Sequence, residues 1–522
     1  MTSMARSCPR RSRKKFLVQK PQGQLTSRVQ AVGPDHFAIV SVDCAKSRSK
    51  FMLADFYANV LVPPTVVAHT QGELRAAGER LRQALRQHDL RDLVVAIERT
   101  GEYHRPVQRA FREFGWEVRL VHSYASHQHR QPADPGNKTD DTDLAAIHRA
   151  AVNGFGLIEQ PLPDEYQRWQ LLVRHRRDLV WKMSKLCCQI REHLHAGMPG
   201  YADGFEHLWG SPLALAVARR TGSAQAVGQA ALSGLQQIVD QANLRCRQST
   251  LLRILAWADT APPAHPHSAY LQQIITALDD DRLAKLQQIQ ALEGTLASFL
   301  ARSPFVLLLI IPGINVVSAA DLAAEMGPPP HYANANAITG RAGLVPTRYQ
   351  SDRVDYPDGP LRRNANRRLR TALLQIADNL VTCNHHFRAR ATLWRQAGKD
   401  PRWIRVKVAK NISRIAFALI VGRQLFRHPC CQQRHYILDK LLAFHREHDT
   451  PMDQVLRDLQ AATDQLPHSA YAAEAQPLAE RLHHLQASRR GPQLLGNILP
   501  IVLARLGTQQ VQSTMSEARA PS

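Results

Sequence analysis

Residues 36–60 read HFAIVSVDCAKSRSKFMLADFYANV, an apolar run that carries one acidic residue, Asp43, before a polar turn. Phe37, Ile39 and Ser41 fall on one face and Ala38, Val40 and Val42 on the other, which predicts a strand buried on both faces, a turn and a returning strand. A carboxylate is costly to bury unless a cation or strong donors meet it, so Asp43 on a central strand points to function. Its partners must come from later in the chain.

Working outward, a third strand is predicted over 60–69 and a charged helix over 72–87, with Leu74, Leu81 and Leu85 towards one side. The run LRDLVVAIERTG gives another buried strand over 93–97 that ends in Glu98. A helix over 105–114 and a strand over 116–121 continue the alternation, which predicts an α/β domain with a mixed sheet. In such sheets functional groups gather at strand ends and on the helices that face them.

Residues 137–154, NKTDDTDLAAIHRAAVNG, supply such a helix. Thr139 or Asp140 can cap it, and Asp140 and Asp143, three apart, then share a face. Two like charges about 4 Å apart repel by roughly 1 kcal/mol in water and about 4 kcal/mol at a partly buried site, so the arrangement favours a divalent cation. Asp43, Glu98, Asp140 and Asp143 form an oxygen-only donor set suited to Mg2+ or Mn2+, and two such ions would flank a scissile phosphate. The competing reading makes Asp140 and Asp141 first-turn acids that complement the helix dipole and Glu98 an exposed strand-end charge.

Composition narrows the partner. Across 522 residues, 67 Lys and Arg stand against 44 Asp and Glu, a formal charge of +23, which points to a polyanion: nucleic acid first, an anionic membrane second. The longest apolar runs, over 305–311 and 415–421, are far short of the roughly 20 residues that span a bilayer, and no apolar segment follows the basic N-terminus, so no membrane partner and a cytoplasmic protein are expected. Eight cysteines show no CxxC spacing and read as reduced thiols. A zinc site from His428, Cys430, Cys431 and His435 is disfavoured, because adjacent cysteines rarely face one ion.

Residues 1–33 suit a basic, disordered arm that either tracks a phosphate backbone or has no role. Over 164–200, apolar residues recur at helical spacing among many cations, and Arg174 and Arg177 either grip phosphates or line a solvated face. Residues 201–270 are less periodic and carry no assigned chemistry. A helix with Leu286, Ile289, Leu292, Leu296 and Phe299 at spacings of three or four pairs with the first as an antiparallel hairpin, a natural site for dimerisation. Pro312-Gly313 between two apolar segments makes either a phosphate-binding hairpin or a plain hairpin of the core.

Asp43 in VSVDCAK, Glu98 in AIERTG, and Lys138, Thr139, Asp140 and Asp143 in NKTDDTDLAAI resemble, in order and setting, the DEDD-type transposases of bacterial insertion sequences, family one hundred and ten. The resemblance covers roughly residues 36–425. It extends to the stretch ITGRAGLVPTRYQSDRVDYPDGPLRRNANRRLRTALLQIADNLV, where Gly343-Leu344-Val345-Pro346, Ser351, Gly359, Asn366, Arg367 and Arg370 fit a GLxP element, a serine, a glycine and a basic helix start, and to the lysines and Arg414 of WIRVKVAKNISRIAFALIVGR. It implies a RuvC-like, ribonuclease H-type α/β N-terminal domain, a helical coiled-coil middle region and a mainly α C-terminal transposase domain. The divisions expected are 1–33, 34–160, 161–303, 304–428 and a partly helical or disordered tail over 429–522.

The resemblance further implies a DNA recombinase with Ser351 as nucleophile and the acidic quartet binding Mg2+ or Mn2+. Lys138, Arg362, Arg363, Asn366, Arg367, Arg370, Lys407 and Lys410 would contact nucleic acid. Double-stranded DNA of the element ends and target, a bridge RNA, and a homodimer or tetramer are the implied partners. Asp352 and Ala365 depart from the family, which more often has glycine at both places. Two competitors stay open: a junction-type nuclease using the quartet and a water nucleophile, and a catalytically silent nucleic-acid-binding protein.

Overall fold

The computed structural model describes residues 23–466 apart from 131–135, 160, 264, 352–353, 357–358, 363–364 and 425–436. The chain divides into two units, Met1–Pro161 and Leu162–Ser522.

The first unit runs α1 (Thr26–Val32), β1 (Phe37–Cys44), β2 (Arg48–Asp55), β3 (Val60–Ala68), α2 (Gln71–Gln87), β4 (Asp92–Glu98), α3 (Arg105–Glu113), β5 (Glu117–Val121), α4 (Ser123–Arg130), α5 (Asp140–Val152) and β6 (Gly156–Ile158). The sheet order is β3-β2-β1-β4-β5-β6. β1, β2 and β3 pair antiparallel, β4 and β5 join parallel to β1, and β6 closes the edge antiparallel. This is the mixed α/β domain that the alternation predicts. Ala38, Val40 and Val42 lie in a core with Leu74, Leu81 and Phe111 of α2 and α3. Phe37 and Ile39 face the opposite core, with Ala125 of α4 and Ile147, Ala150 and Ala151 of α5. Alternation along β1 therefore gives each side of the sheet its own helical layer.

The disordered arm expected over 1–33 is cut short. Leu25 is buried against Phe37 and Val121, Arg119 donates to the Gly23 carbonyl, and Arg28 pairs with Asp92 and Glu117, so these contacts hold 23–33 on the sheet. Residues 1–22 lie outside the described residues.

The second unit begins with α6 (Asp164–Gly197), α7 (Pro212–Thr221), α8 (Ala224–Gln241), α9 (Gln248–Thr260) and α10 (Ser268–Ala301). α6 and α10 form the antiparallel hairpin read from the sequence: Trp169 stacks on Phe299 near one end, and Gly197 lies beside Leu271 at the other. The stretch over 201–270 folds as α7 to α9 around a core of its own with Ile190 and Leu194 of α6.

Beyond it come α11 (Val316–Met326), α12 (Ala335–Arg341), the hairpin β7 (Tyr349–Ser351) and β8 (Val354–Tyr356), α13 (Arg367–Cys383), α14 (His385–Gln396), α15 (Pro401–Gly422), α16 (Ile437–Glu447) and α17 (Met452–Gln465). The first half of the Pro312-Gly313 element is a 3-10 turn, Pro304–Ile310, buried from Phe305 onward. Its turn carbonyls are taken by protein donors: Asn384 Nδ2 reaches Pro312 O at 2.9 Å, and Lys440 Nζ reaches the Ile311 and Ile314 carbonyls. Asn315 caps α11. The turn amides are also bonded within the chain, Ile314 N to Ile311 O and Asn315 N to Ser318 Oγ, both at 3.1 Å, which favours the core hairpin over a phosphate site.

The tail expected from 429 contributes α16 and α17, whose Ile437, Leu441, Val455 and Leu459 enter the main core of this unit. His428, Cys430, Cys431, His435 and residues 467–522 lie outside the described residues. Among the described residues no single helix is long and apolar enough to cross a membrane.

Candidate active site

The strand register brings the first two acids together. Val42 pairs with Ile97 across the parallel β1–β4 interface, so Asp43 and Glu98 each follow a paired residue at the same end of neighbouring strands. Both share parity with the side chains that face α4 and α5. α5 is started by Thr139, which forms a capping box with Thr142: each side chain bonds the other's backbone amide. Leu144 and Ile147 then anchor the helix, and His148 Nε2 donates to the Asp55 carbonyl at 2.8 Å, tying it to the end of β2. That anchoring leaves Asp143 buried and Asp140 exposed at the first turn.

Burial raises the Asp43 carboxyl above its ordinary range, and the charges of Asp143 and Asp140 raise it further, against the pull of Lys138. Burial likewise raises Glu98; a hydrogen bond from Ser126 and the charge of Arg130 act the other way, and Asp43 and Asp143 add to the rise. All four acids named from the sequence thus belong to one electrostatic cluster. Its mutual repulsion and all-oxygen composition suit a hard divalent cation. As placed, the side chains do not close on an ion: among the described residues no three His, Cys, Asp or Glu are gathered to hold one. Arg130 Nη1 donates to Asp143 Oδ1, and Lys50 Nζ lies 2.7 Å from Asp141 Oδ1.

Arg130, Ser126 and Lys50 are site residues that the sequence reading missed. Lys50 had a signal, because a tight turn after Cys44 sets it directly opposite Asp43. Arg130 and Ser126 had none, since α4 has no clear apolar period.

In the second unit, Ser351 is exposed at the end of β7, where it pairs with Val354. Arg348 braces the hairpin with a bidentate pair to Asp355, at 2.9 and 2.6 Å. Below it the GLxP element is tied down: Thr347 N donates to Pro360 O and Thr347 O accepts from Gly359 N, both at 2.9 Å, Pro346 bridges Leu361, and Asn366 N donates to Arg341 O at 2.8 Å. Gly343 has φ +62° and lies so near Ala365 that a Cβ would sit 2.4 Å from the Ala365 Cβ. Asn366 caps α13 through the amides of Arg368 and Leu369.

Several residues expected at nucleic acid do structural work. Arg370 Nε donates to Ala342 O at 2.8 Å and its Nη2 to Arg362 O, so its guanidinium is spent on the loop. Arg174 and Arg177 turn inward to Glu325 and Asp321 because α11 buries both acids against α6. Arg362, Arg367 and Lys407 are exposed, Lys407 lying over the Trp403 ring, and Lys410 is half-buried on the same helix. Lys138 is exposed just before α5. Arg363 and Asp352 lie outside the described residues.

A ribonuclease H-type sheet with carboxylates at two parallel strand ends and on a facing helix, followed by a helical unit, is the architecture of the transposase class. A family model described as "Transposase", of the DEDD type, matches residues 40–199, and one described as "Transposase IS116/IS110/IS902 family" matches residues 306–392. The chain is 23% identical over 331 residues to the transposase for insertion sequence element IS1328 of Yersinia enterocolitica, covering 63% of this chain and 80% of that one. It is 25% identical over 360 residues to a "Probable family 20 transposase" of Pseudomonas aeruginosa, covering 66% and 91%. The chain belongs to the IS110 family of transposases and is a DNA recombinase enzyme.

Proposed function

We propose that this transposase cleaves and rejoins DNA strands through Ser351, with a divalent cation, Mg2+ or Mn2+, held by Asp43, Glu98, Asp140 and Asp143. The observation that carries the reading is the strand register that sets Asp43 and Glu98 at neighbouring strand ends, where burial raises both carboxyls and the charge of Asp143 on α5 raises them further. Such a cluster is unfavourable without a positive partner. When bound, the cation supplies charge neutralisation at the scissile phosphate.

The chain's own residues do the rest. The Ser351 Oγ attacks phosphorus and loses its proton, the leaving sugar oxygen gains one, and a phosphoserine ester replaces the DNA phosphodiester. Attack by a sugar hydroxyl of another strand reverses the exchange, so rejoining needs no external energy source. Arg362 and Arg367 would bind phosphate oxygens beside that centre, and Lys138, Lys407 and Lys410 would hold the backbone farther out. The +23 charge supports binding to DNA of the element ends and target together with a bridge RNA. A dimer or tetramer would bring two DNA duplexes together.

The test incubates the full chain with Mg2+, element-junction DNA and RNA from the flanking non-coding region, and seeks a covalent protein–DNA adduct. The expected adduct forms with wild type and is lost in Ser351→Ala and in Asp43→Asn. Cleavage without an adduct that survives Ser351→Ala would replace the serine by water, giving the junction-type nuclease. Unchanged activity in Asp43→Asn would remove the quartet from the chemistry.

A further inference from the structure

Arg130 ends α4, and its guanidinium donates to Asp143 Oδ1 on α5 while its Nη2 donates to His127 Nδ1 at 3.0 Å. The pair is sheltered: the Arg130 side chain is 13% exposed and that of Asp143 11%. The charge of Arg130 also reaches Glu98 on β4. One guanidinium is thus bonded to one of the four carboxylates, and its charge is felt at a second.

The backbone of α4 does not depend on that contact. Ala125 and Ser126 are buried against the sheet and α5, and Arg149 Nη1 of α5 donates to the His129 carbonyl at 2.9 Å, fastening the end of α4 from the other side. Arg130 can therefore move its side chain while α4 stays in place. A guanidinium carries one charge and cannot reach every acid in the cluster, whereas a divalent ion takes oxygen ligands from several elements at once. Asp143 cannot give the same oxygen to both at full strength.

We propose that Arg130 is the resident counter-cation of the carboxylate cluster, a positioning residue that competes with the divalent ion for Asp143 and is displaced when the ion binds. This rests on the metal-binding reading above. It makes cation loading weaker than the four acids alone would give, and it leaves a displaced guanidinium at the edge of the site.

The test measures Mn2+ binding to the full chain by titration calorimetry for wild type, Arg130→Gln, Arg130→Lys and Asp43→Asn. Removing the competitor is expected to tighten Mn2+ binding on the order of 5- to 50-fold in Arg130→Gln. Asp43→Asn should abolish binding, which places the ion at the cluster. The melting temperature of Arg130→Gln should fall without Mn2+ and rise more on adding it than wild type does. If that variant does not fold without Mn2+, Arg130→Lys, which keeps the charge with a poorer reach, should bind Mn2+ more tightly than wild type by a smaller factor. Equal or weaker binding in a folded Arg130 variant, with wild type binding Mn2+, would overturn the competition and leave the metal reading intact. No saturable binding in wild type or either Arg130 variant would overturn both.

Discussion

Arg174 of α6 clasps Glu325 of α11, Nε to Oε1 at 3.2 Å and Nη2 to Oε2 at 3.3 Å, and the Glu325 carboxylate is fully buried. One turn away on each helix, Arg177 Nε meets Asp321 Oδ2 at 3.1 Å. Burial pushes the Asp321 carboxyl up, and Arg177 and Arg176 hold it down. Two acids one turn apart on α11 are thus neutralised by arginines of α6, which locks those helices in register. Truncating Arg174 leaves the buried Glu325 carboxylate with only the longer contact to Arg177 Nη1 at 3.9 Å, so Arg174→Ala is expected to cost up to about 3–5 kcal/mol in urea unfolding. The slope of DNA affinity against salt should hardly move in that variant. A slope reduced by about one would return Arg174 to the phosphate backbone.

Asn366 and Gly343 make the second prediction. Asn366→Ala removes the acceptor for two amides at the start of α13 and is expected to cost about 1 kcal/mol. Gly343→Ala should cost more, because the backbone has φ +62° and the new methyl would meet the Ala365 Cβ. Thermal melts of both variants decide the order, and equal stability in Gly343→Ala and wild type would mean that the loop relaxes freely.

These residues show where sequence legibility ended. β1 was readable because its two faces are both apolar and its one acid breaks the pattern; the same logic found Glu98 at the end of β4. Asp140 and Asp143 were readable from helical spacing and a capping threonine. The pairing of Arg174 and Arg177 with buried acids was not legible, because a cation on a periodic helix looks alike whether it faces phosphate, solvent or an acid 144 to 151 residues away. Asn366 and Arg370 fit a motif, and the structure adds a cap and a loop brace that no local pattern signals. α4 was missed because Ser123–Arg130 is short and its buried residues are only Ala125 and Ser126.

Thr139 gives a prediction that links local structure to the site. Its side chain accepts from the Thr142 amide, and the Thr142 hydroxyl accepts from the Thr139 amide, so the first turn of α5 is closed where it carries Asp140, Asp141 and Asp143. Thr139→Ala should cost about 1 kcal/mol, and Thr139→Ser, which keeps the acceptor, much less. Strand cleavage should fall with Ala and recover with Ser. Cleavage unaffected by Ala would show that the turn holds its carboxylates without the cap.

His148 sets a pH dependence. It is buried on α5, and burial lowers its pKa below the ordinary 6.5, outweighing the bond to the Asp55 carbonyl that favours the charged ring. The unfolded chain then binds the proton more readily than the folded one, so the stabilisation is present above about pH 6.5 and is lost as pH falls through the lower, folded value. His104, also lowered chiefly by burial, acts in the same sense. Asp43 and Glu98, raised in the fold, act in the opposite sense, so the test is a difference between proteins. His148→Gln keeps an amide donor where Nε2 stood and removes the titration. Between pH 7.5 and 5.5 its stability should fall less steeply than that of wild type, by at most about 1.4 kcal/mol per pH unit for one proton. Parallel unfolding profiles for the two proteins would show that His148 admits its proton without disturbing the contact between α5 and β2.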